Sequence, residues 1–177
     1  MTNSWTGVMD SFMMTGPVSR IRRNHGLEHA TLHILSERYP QKPLAGHSDL
    51  GGFWIVGDVS TEDLQSAVEE ALTRMQAGES NLAVHPNCGT NFVTAGTLAG
   101  VAAMAALFGA GRRTRDKLER LPLAASLATF GLMLAQPAGL FLQRHVTTSG
   151  EPGNLEVISI KPSQRGRLQA HRVATRG

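Results

Sequence analysis

The chain has 177 residues, which is enough for one domain or for one domain plus a membrane element. Its 17 Lys and Arg against 14 Asp and Glu leave a net charge of +3, a balance that suits an anionic membrane surface. No nucleic-acid-binding motif accompanies the charge, a single Tyr offers little base stacking, and the one cysteine, Cys88, excludes an intrachain disulfide framework.

Residues 1–19 are read as an N-terminal amphipathic segment. Trp5, Val8, Met9, Phe12 and Met13 follow helical spacing up to the break at Thr15-Gly16-Pro17. The segment lacks the basic start and continuous apolar run of a secretory signal. With Arg20, Arg22 and Arg23 directly after it, it suits a bilayer interface; docking onto its own domain is the alternative.

The next stretch, Asn24 to Leu35 (NHGLEHATLHIL), organises the rest. On a helix, His25, Glu28, His29 and Leu32 share one face, and Leu27, Ala30, Thr31, Ile34 and Leu35 take the opposite one. Two imidazoles one turn apart can share a metal ion at zinc bond lengths of about 2 Å. The alternative is an amphipathic helix whose polar face carries histidine for no chemical purpose.

After Tyr39-Pro40 and Lys42-Pro43 stop the helix, short strands are expected at Leu44 to Gly46 and Phe53 to Val56. A turn on Ser48, Asp49, Gly51 and Gly52 joins them, with His47 at its start. Ser60 with Glu62 and Asp63 signals a helix N-terminus, and Leu64, Ala67, Val68, Ala71, Leu72 and Met75 form its apolar stripe up to Gly78. Asn81 to His85 reads as a strand running into Pro86-Asn87-Cys88-Gly89. His85 and Cys88, three apart across this turn, resemble half of a zinc knuckle and would complete a His₃Cys tetrahedron with His25 and His29.

Phe92 to Ala110 and Leu121 to Leu142 are uncharged, and each can cross a hydrocarbon core of about 30 Å at about 1.5 Å per residue. Gly96 and Gly100 form a small-xxx-small pair, and Pro137 is expected to kink the second span. The basic connection GRRTRDKLER makes a tight hairpin, which the positive-inside rule would place in the cytoplasm. Beyond it, strands are expected at Arg144 to Ser149 and Leu155 to Lys161 around Gly150 to Asn154, followed by a disordered basic tail.

These readings give an α+β fold. A small α/β domain from residues 20–90 is completed by a hairpin at 144–162; a two-helix transmembrane hairpin at 91–143 interrupts it, and a tail at 163–177 follows. An even number of spans returns the chain to its starting side, so strands before and after the hairpin can share one sheet.

His25-Gly26-Leu27-Glu28-His29 matches the His-x-x-Glu-His motif of the inverted zincins, the insulinase and pitrilysin type of metallopeptidase. That resemblance covers five residues and implies His25 and His29 as zinc ligands and Glu28 as general base. The further glutamate ligand of those enzymes has candidates here in Glu69 and Glu70. On a larger scale, NHGLEHATLHIL, LAGHSDLGGFW and AVHPNCGTN followed by two spans resemble an uncharacterised family of small bacterial membrane proteins, a domain of unknown function. This implies residence in the bacterial inner membrane and no established activity.

Two functions compete. With His25, His29 and one of His85 or Cys88 on zinc, an open position holds a water from which Glu28 takes a proton, as in peptide hydrolysis. With all four bound, zinc staples a membrane-tethered interaction or assembly module, which could also exist without metal. The expected partners are the lipid bilayer and a second copy or another membrane protein.

Overall fold

A computed structural model describes residues 16–111, 113–166 and 168–177. The amphipathic pattern from Trp5 to Met13 lies outside the described residues. The chain forms two compact units, one of the residues up to His85 together with 144–177, the other of Pro86–Gln143.

In the first unit, helix α1 (Gly16–Arg38) is followed by strands β1 (Ala45–Asp49) and β2 (Gly52–Val56), helix α2 (Thr61–Gln76) and a 3-10 turn (Ser80–Ala83). A π turn (Gln143–Thr147) starts on the last residue of the second unit, and strands β3 (Glu156–Arg165) and β4 (Leu168–Arg176) follow. The four strands make one antiparallel sheet in the order β1-β2-β4-β3, so segments from either side of the hairpin share it as expected.

Local chemistry accounts for the regular elements. The Ser60 hydroxyl accepts the Asp63 N–H at 3.0 Å and caps α2, whose stripe of Leu64, Ala67, Val68, Ala71 and Met75 is buried. Asp49 accepts the Gly51 N–H at 2.7 Å and tightens the β1–β2 turn. Phe53, Ile55 and Val173 from the sheet join Leu27, Ile34 and Leu35 of α1 in the core.

Three segments differ from the sequence reading, two because their carbonyls pair with side chains instead of a strand and one because it joins the sheet. Residues Ser80–Ala83 are a 3-10 turn, and the Ala83 and Val84 carbonyls accept from His29 and His33. The segment Arg144 to Ser149 runs through the π turn, with the His145 and Thr148 carbonyls taken by Arg22 and that of Thr147 by His25. The expected basic tail forms β4, between β2 and β3. Its buried positions are Ala170, His171, Val173 and Thr175, too polar a set to show as apolar alternation.

Arg20, Arg22 and Arg23, which follow the N-terminal segment, clamp the C-terminal segment. Arg20 donates to the Thr175 carbonyl at 2.7 Å, Arg22 to His145 and Thr148, and Arg23 to Asn154 Oδ1 at 2.6 Å.

In the second unit, α3 (Gly89–Leu107) packs against α5 (Leu121–Leu142), with the short helix α4 (Thr114–Leu118) between them in sequence. Among the described residues, a Cβ on Gly96 or Gly100 would meet nothing, so that pair does not mediate the hairpin contact. Gly131, against the Leu98 backbone, and Gly139, against Asn91, do so instead. Helix α5 continues through Pro137. Helix α3, and the helical stretch from Thr114 to Thr147, are long and apolar enough to cross a membrane.

Two predictions follow from the first unit's polar ties. Asn24 is fully buried; its Nδ2 donates to the Asp49 carbonyl at 2.8 Å, and its Oδ1 accepts from Thr175 Oγ1 at 2.7 Å. Asn24→Ala should cost about 1–3 kcal/mol, read as a lowered thermal midpoint by circular dichroism in detergent. Asp49 accepts two hydrogen bonds from Arg172, at 2.7 and 2.8 Å, which with the Gly51 N–H hold its carboxyl below the usual carboxylate range. A lowered carboxyl pKa contributes stability above its unfolded value of about 3.9 and loses it as pH falls through the folded one. The pair is partly exposed, so Asp49→Asn should cost no more than about 1 kcal/mol at pH 7, and melts at decreasing pH should show the difference closing below about pH 4.

Candidate metal centre

The middle of α1 supplies most of the site. Gly26 to Leu32 is buried on every side, so the face that carries Glu28 and His29 is interior. Glu28 is 4% exposed and His29 2%, and each has a polar partner.

His25 Nδ1 lies 3.0 Å from the Thr147 carbonyl oxygen and His29 Nδ1 lies 2.8 Å from that of Ala83. A carbonyl only accepts, so each Nδ1 carries the proton and each Nε2 the lone pair. This arrangement orients a metal-binding histidine and sharpens its basicity. The two rings meet edge to face with centroids 4.4 Å apart, and a ring nitrogen of each lies within 4.8 Å of the other.

His85 packs against the same row. Its ring centroid is 5.8 Å from that of His29 and 4.7 Å from that of His33. Burial, reinforced by His33 and His29, holds its pKa down to about 4, so it is neutral at pH 7. Cys88 belongs to the second unit, where it is the N-cap of α3 and its Sγ accepts the Thr90 N–H at 3.4 Å.

Glu28 turns toward β1. Its Oε2 accepts a short hydrogen bond from the Ser48 hydroxyl. Burial pushes its carboxyl pKa up, against the opposing pull of Ser48, His25 and His47. Strand alternation puts Gly46 and Ser48, paired with Ile55 and Phe53, on the core face; His47, paired with Trp54, is exposed on the other and does not join the site. Glu69 and Glu70 stay on α2: Glu70 binds Arg38 at 2.6 Å and Arg74, and Glu69 accepts from Gln65. They do not supply the downstream ligand that the peptidase resemblance called for.

Two glycines make this fit. A Cβ on Gly46 would overlap the Glu28 carboxyl, and one on Gly26 would overlap the Ser149 carbonyl oxygen.

Residues 20–160 match the family described as Domain of unknown function (DUF6391). An uncharacterised protein of Picosynechococcus sp. is 38% identical over 151 residues, which span 80% of this chain and 71% of the relative. The chain belongs to the DUF6391 family. No solved structure matches. The DUF6391 match contains every candidate ligand and both apolar helices, in accord with the expected family of unknown function.

Two site residues of this DUF6391 chain escaped the sequence reading. His33 extends His25 and His29 in an i, i+4, i+8 series, a signal visible in the sequence. Ser48 gave none, since only the strand register delivers it to Glu28.

Gly46→Ala should destabilise by about 1–3 kcal/mol by forcing the Glu28 carboxyl aside. Combined with Glu28→Ala it should cost less than the sum of the two, a coupling measurable as a double-mutant cycle in denaturant melts.

Proposed function

We propose that this protein is an integral membrane protein, spanning the bilayer with its two apolar helices, whose first unit binds a divalent transition ion, zinc foremost. The observation that carries this reading is the His25–His29 pair: two imidazoles one helical turn apart, each held by a backbone carbonyl in the tautomer that leaves Nε2 for the metal. Imidazole suits zinc, and a thiolate would raise the site's preference for it. Cys88, three residues after His85, is the thiolate that the sequence spacing recommends, and His85 is the candidate fourth ligand.

We read the site as structural, a staple for a membrane-tethered module. Glu28 is almost fully enclosed and engaged by Ser48, and His29 is as deeply buried, which favours a closed ion site over one that admits a peptide. One observation favours the hydrolytic alternative. A buried carboxyl next to His25 whose proton affinity is raised has the character of a general base for a metal-bound water.

Metal analysis of protein purified from membranes tests the first reading. Wild type should carry about one zinc per chain, and His29→Ala and Cys88→Ser should lose most of it. Equal metal in all three would remove the proposal. Glu28→Gln separates the alternatives: under the structural reading it keeps the ion and the thermal midpoint, whereas a hydrolase would keep the ion and lose turnover of a peptide substrate.

A further inference from the structure

The row of imidazoles does not end at the pair that would hold the first ion. His33 lies one turn beyond His29 on α1, about 6 Å further along the axis, and the His85 ring touches both. We propose that His33 and His85 form a second, exchangeable metal position for a borderline divalent ion such as zinc, copper(II), nickel or cobalt(II).

Three features carry this. First, the His33 and His85 rings are closer to each other, at 4.7 Å between centroids, than His85 is to His29, at 5.8 Å. Second, His33 Nε2 lies 2.8 Å from the Val84 carbonyl oxygen, so Nε2 carries the proton and Nδ1 the lone pair. That is the reverse of the tautomer at His29, whose Nδ1 donates to the adjacent carbonyl, Ala83. The end of the 3-10 turn and the residue after it thus orient two successive histidines in opposite senses. Third, His33 and His85 are half-buried where His29 is buried, so water can complete the coordination sphere of an ion held by two imidazoles.

The chemistry differs between the two positions. With His85 at the outer position, the inner one is left with His25, His29 and, on the reading above, the Cys88 thiolate, without a fourth protein ligand. The outer one offers imidazole and water only, so it should bind more weakly and exchange faster. His85 touches His29 on one side and His33 on the other, which makes it the ring through which an ion at the outer position would approach the inner one.

Full-length protein in detergent micelles, stripped of metal and titrated with Co²⁺, tests the idea by equilibrium dialysis and visible absorption. Wild type should bind a tight and a weaker equivalent. His33→Gln should lose the weaker and keep the tight one, and His29→Gln should lose the tight one and keep the weaker. A single tight equivalent in wild type with no weaker one, or both retained in His33→Gln, would overturn the outer position. Failure of the inner-site reading would show separately, as loss of the tight equivalent alone in wild type. Should His33→Gln not fold, Cu²⁺ titrated as the weaker equivalent into wild type decides the matter. An electron paramagnetic resonance spectrum with hyperfine structure from two imidazole nitrogens supports the site, and one with none refutes it.

Discussion

The burial of the centre of α1 on all sides is the constraint from which the first unit takes its form. A helix with only apolar groups there would need nothing but shape. This one carries Asn24, Glu28, His29 and Thr31 into the interior, and a buried polar group without a partner costs more than a made hydrogen bond returns. Thr31 is satisfied within its own helix, at the Leu27 carbonyl. The others reach outward, Asn24 to the end of β1 and to β4, Glu28 to Ser48, and His29 to Ala83. The polar residues of α1 therefore specify which segments must surround it.

That requirement explains why two surrounding segments are irregular. A strand uses most of its carbonyls on its neighbours and leaves few, such as those of Asp49 and Thr175 near the strand ends, for side chains of α1. The stretch from Ser80 to His85 and the π turn after the second apolar helix leave carbonyls at Ala83, Val84, His145, Thr147 and Thr148 for side chains of α1. The same carbonyls decide which nitrogen of His25, His29 and His33 bears the proton. Fold and ligand chemistry thus rest on one set of hydrogen bonds.

The hairpin interrupts this arrangement without dividing it. Two antiparallel helices bring the chain back to the end from which it left, and the returning segment supplies β3 and β4 to the sheet begun by β1 and β2. β4 lies next to β2, and Thr175 on it closes onto Asn24. The end of the chain is therefore as much a part of the core as the helix near its beginning.

The sequence by itself determined the α+β class, the capped helix at Ser60, both apolar helices and the His25, Glu28 and His29 constellation. Each is written in contiguous residues, as a cap, an apolar run or a helical spacing. Only the tertiary structure decided that the histidine face is interior, that β4 is a central strand, that Ser48 and Gly46 receive Glu28, and that His33 joins His85. Those facts depend on groups far apart in the chain. Strand register and carbonyl position control them, and neither leaves a periodic trace when the buried residues are His171 and Thr175 rather than valine or leucine.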